Sequence, residues 1–293
     1  MATPDDKLVL GIPKGSLQDS TVELFRRAGY NIKISSRSYF PTIDDDQISV
    51  IMFRAQEMSR YVEDGVIDAG LTGADWICEN GSDVHEVAEL VYSKQQRTPV
   101  RWVLAVPEES SITRPEEMDG GIVATELVEV TRNYFQDKGV KVKVEFSWGA
   151  TEVKARLIDG IVDVTETGSS LRANKLRVLD TLMTSTTRLV ANHEAMKIDW
   201  KKQKIENIAL LLTGAIAAQD KVGLKMNLER KNLSAVTELL PSGKSPTISE
   251  LLDSDWVAVE VIVDEQIERD LVPRLKRAGA TDLITYPLNK VIP

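Results

Sequence analysis

The stretch from Ile161 to Leu171, IVDVTETGSSL, carries the residue types and spacing best suited to chemistry. It reads as an apolar strand running into a loop of small residues, followed by a helix that begins SLRANKL. Backbone N–H groups at such a helix start face outward with partial positive charge, so a phosphate can be held there without a lysine. Gly168 permits close backbone approach, and Thr167, Ser169 and Ser170 add hydroxyl donors. Asp163 and Glu166, at the strand end, can accept hydrogen bonds from ribose hydroxyls or hold a magnesium ion. A Thr-Gly-Ser-Ser loop also serves as a plain helix cap, but the acids before it favour a sugar phosphate. Two cations stand at comparable strand ends: Lys14 in PKGSL and Arg54 after QISVIMF. Each suits a pyrophosphate, and each is equally readable as a solvated side chain. No nucleophilic constellation accompanies them. His85 and His193 lie far apart in the sequence with no Ser or Cys motif nearby and read as structural. Cys78 has no partner for a disulfide or a thiolate metal site and reads as a buried structural thiol.

The elements that must position these residues alternate along the chain. KLVLGIP is an apolar strand, and SLQDSTVELFRRAG puts Leu17, Thr21, Leu24, Phe25 and Ala28 on one helical face, with Gly29 at the C-cap position. QISVIMF precedes RAQEMSRYVEDG, IVATE precedes LVEVTRNYFQDKG, and VKVKVEFSWG precedes ATEVKARLIDG. This predicts an α/β fold of parallel strands and crossover helices. An internal echo sharpens it: DGVIDAGLTG (64–73) and DGIVDVTETG (159–168) match at Asp-Gly, the paired β-branched residues, Asp and Thr-Gly. Two similar lobes are expected, each with a helix stopping at Gly65 or Gly160 and a buried strand opening into a Thr-Gly loop at a shared cleft. Asp-Gly stops and Thr-Gly turns are common enough to arise separately. A long helical stretch after Val190 reads as a connector. From near Lys221 the pattern becomes a compact βαββαβ ferredoxin-like module with TISEL as a short strand. The expected division is 1–98 for the first lobe, completed by 190–220, then 99–189 for the second lobe, and 221–293 for the module.

Composition narrows the function. A chain of 293 residues suits two or three compact units, and 42% hydrophobic with 28% charged residues is a globular balance. The net charge of −9 argues against nucleic acid as a partner, so any polyanionic substrate must meet a local cluster. No secretory pattern opens the chain and no run approaches about 20 apolar residues. A cytoplasmic protein without a membrane partner is expected.

Several segments together resemble a known family, ATP phosphoribosyltransferase, the first enzyme of histidine biosynthesis. They are LGIPKGSLQ, FRAQEMSRYVEDGVIDAGLTGADWI, IVATE with RNYFQDKGVKVKV, GATEV, VDVTETGSSLRANKL, and SPTISEL with VAVEVIVDE. The likeness covers essentially the whole chain and is closest to the long form that carries its own regulatory domain. It implies a two-lobed, periplasmic-binding-protein-like catalytic body followed by an ACT-like domain. It also implies ATP and phosphoribosyl pyrophosphate (PRPP) as substrates, Mg²⁺ as cofactor, histidine as feedback inhibitor, and a homo-oligomer built as dimer and hexamer.

The resemblance also implies residue roles. The 5′-phosphate of PRPP falls on the loop Thr167, Gly168, Ser169 and Ser170, with its ribose near Asp163 and Glu152, and Glu166 and Leu171 also count among the substrate-binding residues. Lys14 and Arg54 face the pyrophosphate and nucleotide phosphates, while Thr72, Gly73 and Asp75 lie on the opposing lobe. Ser16 stands where many members carry arginine, and only a hydroxyl donor is carried over there. In the C-terminal module, Ser245 and Thr247 flank Pro246 and offer hydroxyls to an amino-acid ligand, and Asn227 offers its side-chain carbonyl to the ligand's amino group. Without the resemblance, Ser-Pro-Thr reads as a turn and the module as a dimerisation plate. The competing reading of the two-lobed body is a non-catalytic solute-binding or effector-sensing protein, since fold alone does not give function.

Overall fold

The computed structural model describes residues 7–35, 38–92, 98–241 and 246–292. The chain divides into two compact units, residues 1–209 and 210–293. The first contains two mixed sheets that form its two lobes.

In the first lobe, β1 (Leu8–Lys14) leads to α1 (Gln18–Ala28), β2 (Ile48–Arg54) to α2 (Ala55–Glu63), and β3 (Ala69–Gly73) to α3 (Ala74–Asn80), with β4 (His85–Leu90) last. Thr21, Leu24, Phe25 and Ala28 are the buried residues of α1, the helical stripe expected of it, and Gly29 closes the helix at φ 103°. The second lobe holds β5 (Val100–Pro107), β6 (Ile122–Thr125), α4 (Val128–Asp137), β7 (Lys143–Phe146), α5 (Thr151–Lys154), β8 (Gly160–Thr165), α6 (Ser169–Ala173) and β9 (Leu176–Ser185). The chain then returns through β10 (Thr187–Ala191) to the first sheet and enters α7 (Asp199–Ala217).

The sheets run β2-β1-β3-β10-β4 and β7-β6-β8-β5-β9. Their plans agree strand for strand. Three parallel strands come first, and two more, each antiparallel to its neighbour, complete each sheet. The expectation of parallel strands throughout is thus corrected: β10 and β5 join their sheets from the interlobe crossings, not through helical crossovers. The echoed motif is also offset. Gly65 is a turn residue at φ 67°, whereas Gly160 lies inside β8, paired with Val123 of β6. The helix expected before Gly160 is reduced to the four residues of α5.

The second unit contains β11 (Lys221–Glu229), α8 (Leu233–Thr237), β12 (Thr247–Glu250), β13 (Trp256–Asp264), α9 (Glu265–Arg277) and β14 (Thr281–Pro287), the predicted βαββαβ order. Its antiparallel sheet runs β12-β13-β11-β14. Alternation along β11 and β13 sends Leu224, Met226, Val259 and Val261 into one apolar cluster with Leu271 and Leu275 of α9. On the opposite face Tyr286 lies over Gly223, where a Cβ would fall 2.3 Å from the ring. The module begins at β11, but the compact division of the chain falls earlier, inside α7.

Candidate active site

The carboxyl ends of β1 and β2 set two cations side by side, because Lys14 and Arg54 are register partners on adjacent parallel strands. Lys14 Nζ lies 3.6 Å from the centroid of the Tyr39 ring. A hydrogen bond from Lys14, with its charge, holds the Tyr39 phenol below its ordinary pKa. The second lobe presents acids to the same space. Glu126 follows β6, Asp163 stands on β8, and Glu166 follows that strand's end. Burial pushes the Asp163 carboxyl up to about 7, and the charges of Glu152 and Glu126 add to the rise against a lowering hydrogen bond from the Val164 N–H. Glu166 Oε2 is buried without a hydrogen-bond partner among the described residues. These groups line one cleft of about 1300 Å³, to which Tyr39, Phe40, Gly73 and Asp75 also contribute.

The loop after Glu166 is built on local hydrogen bonds. Gly168 adopts φ 73°, and its N–H bonds the Thr165 hydroxyl at 2.8 Å. Thr167 donates to Ser169 Oγ at 3.0 Å, and Ser170 donates to the Glu152 carboxylate. Arg172 Nη1 bonds the Thr167 carbonyl at 3.1 Å and would lie 2.9 Å from a Cβ at position 168. The loop therefore carries a guanidinium as well as hydroxyls. Leu171 is buried and packs with Val103, Ala105 and Ile161, which makes it the loop's anchor in the core.

Two of the predicted residues have their polar atoms committed to the protein. The Thr72 hydroxyl donates to the Ala55 carbonyl at 2.8 Å, and the residue is buried. Asp75 accepts from the Trp102 indole N–H at 2.7 Å and from the Trp76 backbone N–H at 3.0 Å. Burial raises the Asp75 carboxyl above its ordinary range, and hydrogen bonds from Trp102 and Ser185 oppose the rise. Ser16 is exposed at the cleft. In the C-terminal unit, Asn227 Nδ2 donates to Asp282 at 3.2 Å. Thr247 is exposed at the start of the edge strand β12, in register with Glu260. Ser245 lies outside the described residues.

One other reading is corrected. Cys78 is exposed; Trp76 and Ile77, its neighbours on α3, take the positions that pack on the apolar clusters of the two lobes. His85 and His193 come together, with ring centroids 6.4 Å apart, at the end of β4 and β10 remote from the cleft. His193 bonds Asp83 at 3.0 Å. Sequence reasoning passed over Glu126 and Tyr39. Glu126 ends IVATE and was findable as an acid at a strand's carboxyl end, whereas Tyr39 meets Lys14 only through tertiary folding. Among the described residues no group of three or more His, Cys, Asp or Glu side chains is arranged to hold a metal ion, and no helix is long and apolar enough to cross a membrane.

Comparison with known proteins adds to this geometry. Residues 54–214 match the family model described as ATP phosphoribosyltransferase, and residues 218–290 match the one described as HisG, C-terminal domain. The chain is 57% identical over 293 residues to an ATP phosphoribosyltransferase of Chlorobaculum parvum, covering 100% of both chains. It is 57% identical over 290 residues to one of Thermodesulfovibrio yellowstonii, covering 99% of each. Among solved structures it is similar to a chain of the ATP phosphoribosyl transferase (HisG:HisZ) complex from Thermotoga maritima. That match has a TM-score of 0.60 and 27% identity, over 70% of this chain and 98% of that one.

Proposed function

The chain belongs to the ATP phosphoribosyltransferase family, and from that premise we propose how its cleft divides the transfer of a phosphoribosyl group from PRPP to ATP, the first step of histidine biosynthesis. N1 of the adenine attacks C1 of the ribose, the bond from C1 to the pyrophosphate oxygen breaks with inversion, and N1-(5-phosphoribosyl)-ATP and pyrophosphate are formed. Positive charge grows on the ribose as negative charge grows on the leaving group. Such a step needs no protein nucleophile, and positioning with electrostatic stabilisation carries it.

The observation that carries the assignment is the opposition of charge across the cleft: Lys14 and Arg54 on one lobe, Glu126, Asp163 and Glu166 on the other. The basic lobe suits pyrophosphate and the nucleotide phosphates, and the acidic lobe suits the ribose as it turns cationic. Asp163 and Glu152 accept from the ribose hydroxyls, and the loop Thr167 to Ser170, with Arg172, takes the 5′-phosphate. Gly73 and Asp75 form part of the opposite wall. A cleft of about 1300 Å³ exceeds the roughly 300–1,000 Å³ of a site for one small molecule, which suits two substrates held together. The unsatisfied Glu166 oxygen and Asp163 fit a magnesium ion, which is commonly held by one or two carboxylates together with substrate phosphates. When bound, the ion supplies positive charge against the departing pyrophosphate. In the C-terminal unit, Asn227 and Thr247 are the described candidates for binding histidine as inhibitor, on a domain apart from the chemistry.

Mixing the chain with ATP, PRPP and Mg²⁺ should release pyrophosphate in step with N1-(5-phosphoribosyl)-ATP, and leaving out ATP should abolish both. A solute-binding protein of the same architecture would bind and release neither product.

A further inference from the structure

Helix α3 belongs to the first lobe but touches the second along its length. Its root is firmly held at home: Asn80 Nδ2 donates to the Gln56 carbonyl and to Ser59 Oγ, each at 2.9 Å. Ser59, fully buried, bonds the Trp76 carbonyl at 3.3 Å. The start of the helix is tied to the segment where β9 of the second lobe becomes β10 of the first. There the Ala74 N–H bonds the Thr186 carbonyl at 3.0 Å, and the Asp75 N–H bonds Ser185 Oγ at 3.1 Å.

From that base, three side chains of α3 reach across. Asp75 accepts from the Trp102 indole at 2.7 Å. Trp76 stands edge-on to Trp102, centroids 5.9 Å apart, and packs on the second lobe's core, while Ile77 packs on the first lobe's. One turn after Asp75, Glu79 accepts from the N–H groups of Glu129 and Val130, both at 3.0 Å, one on each carboxylate oxygen. Those two residues lie in the first turn of α4. A carboxylate from one lobe therefore caps the positive end of a helix in the other, where both its charge and its hydrogen bonds are favourable.

We propose that α3 is an interlobe clasp, with Glu79 a positioning residue that holds the basic and acidic walls of the cleft at the separation the transfer needs. The idea rests on the proposed division of the reaction between the lobes. Lys14 and Arg54 ride on one lobe and Asp163 and the phosphate loop on the other, so a change in lobe angle separates the two halves of one transition state. Misplacement by about 1 Å is enough for large rate losses. Substrate bound to one lobe alone would not feel it. Glu79 lies outside the cleft lining, so its effect must travel through geometry.

The test uses the full chain in a Cys78→Ser background, with spin labels at the exposed positions Asp64→Cys and Gln136→Cys, one on each lobe. Glu79→Ala should broaden the interlobe distance distribution and lower kcat about tenfold, with the Kd for PRPP alone changed less than about twofold. Glu79→Gln retains one acceptor but turns an amide towards the other N–H, and should fall between. If the distance distribution of Glu79→Ala matches that of the parent, the clasp is wrong, whatever happens to the rate. If the distribution broadens while kcat holds, α3 sets the angle but Glu79 is not a positioning residue. The distance measurement needs no catalysis, so failure of the proposed reaction would be seen separately, as absence of product from the parent chain.

Discussion

The two lobes carry the same aspartate in the same motif and use it in opposite ways. Asp68 of DGVIDAGLTG is buried. One of its oxygens accepts from the Val9 N–H and the other from Lys201 of α7, each at 2.8 Å. Asp163 of DGIVDVTETG faces the cleft, has acids for neighbours and titrates near 7. The first lobe supplies a lysine to neutralise its aspartate and thereby fastens α7 to the sheet. The second leaves the corresponding charge uncompensated, which makes it available to a ligand. A repeated motif here marks a repeated fold, and the counterion is what differs between its two copies.

Two substitutions, giving three measurements, would break or sharpen this contrast. The largest expected effect is Lys201→Ala, which strands a buried carboxylate and should destabilise the chain by about 3–5 kcal/mol in denaturant unfolding; a loss below about 1 kcal/mol would mean Asp68 needs no counterion. Next, Asp163→Asn should weaken PRPP use by at least about tenfold, as loss of a charged hydrogen bond of about 1.5–3 kcal/mol requires. The parent's kcat/KM for PRPP should fall on the acid side with an apparent pKa near 7, and the variant should lose that limb. An unchanged profile would remove Asp163 from the reaction.

The smallest effect concerns stability. The folded Asp163 carboxyl titrates near 7 and the unfolded one near 4, so the folded chain holds the extra proton between those values. Stability from Asp163 is full below about pH 4 and is lost as pH rises through about 7. Asp163→Asn abolishes that loss. Its Tm, relative to the parent, should climb between pH 5 and 6.5 by a few degrees, equivalent to about 1–2 kcal/mol. A constant offset across that range would show that Asp163 has an ordinary environment.

Local signals made much of this legible. Apolar alternation located the strands, Gly29 and Gly65 marked the stops of α1 and α2, and the Thr-Gly-Ser-Ser segment stood out as a loop before a helix. What escaped was set by distant partners. Nothing near Asp68 announces Lys201, so the two aspartates of the echo look alike. Glu79 on a short helix looks like any solvated acid until α4 arrives against it. Cys78 was misjudged because α3 has seven residues, too few for periodicity to say which side faces water. The antiparallel strands of each sheet come from the chain crossing between lobes, a decision of topology that no local window contains.

The place of β10 has a consequence during biosynthesis. It lies between β3 and β4, yet the ribosome makes the entire second lobe between β4 and β10. The nascent first lobe must wait with two unpaired strand edges, each a template for pairing with another chain. Products cut short before Thr187 should therefore be the ones most prone to aggregate, and the first lobe, unlike the second, cannot be excised as an uninterrupted stretch of sequence.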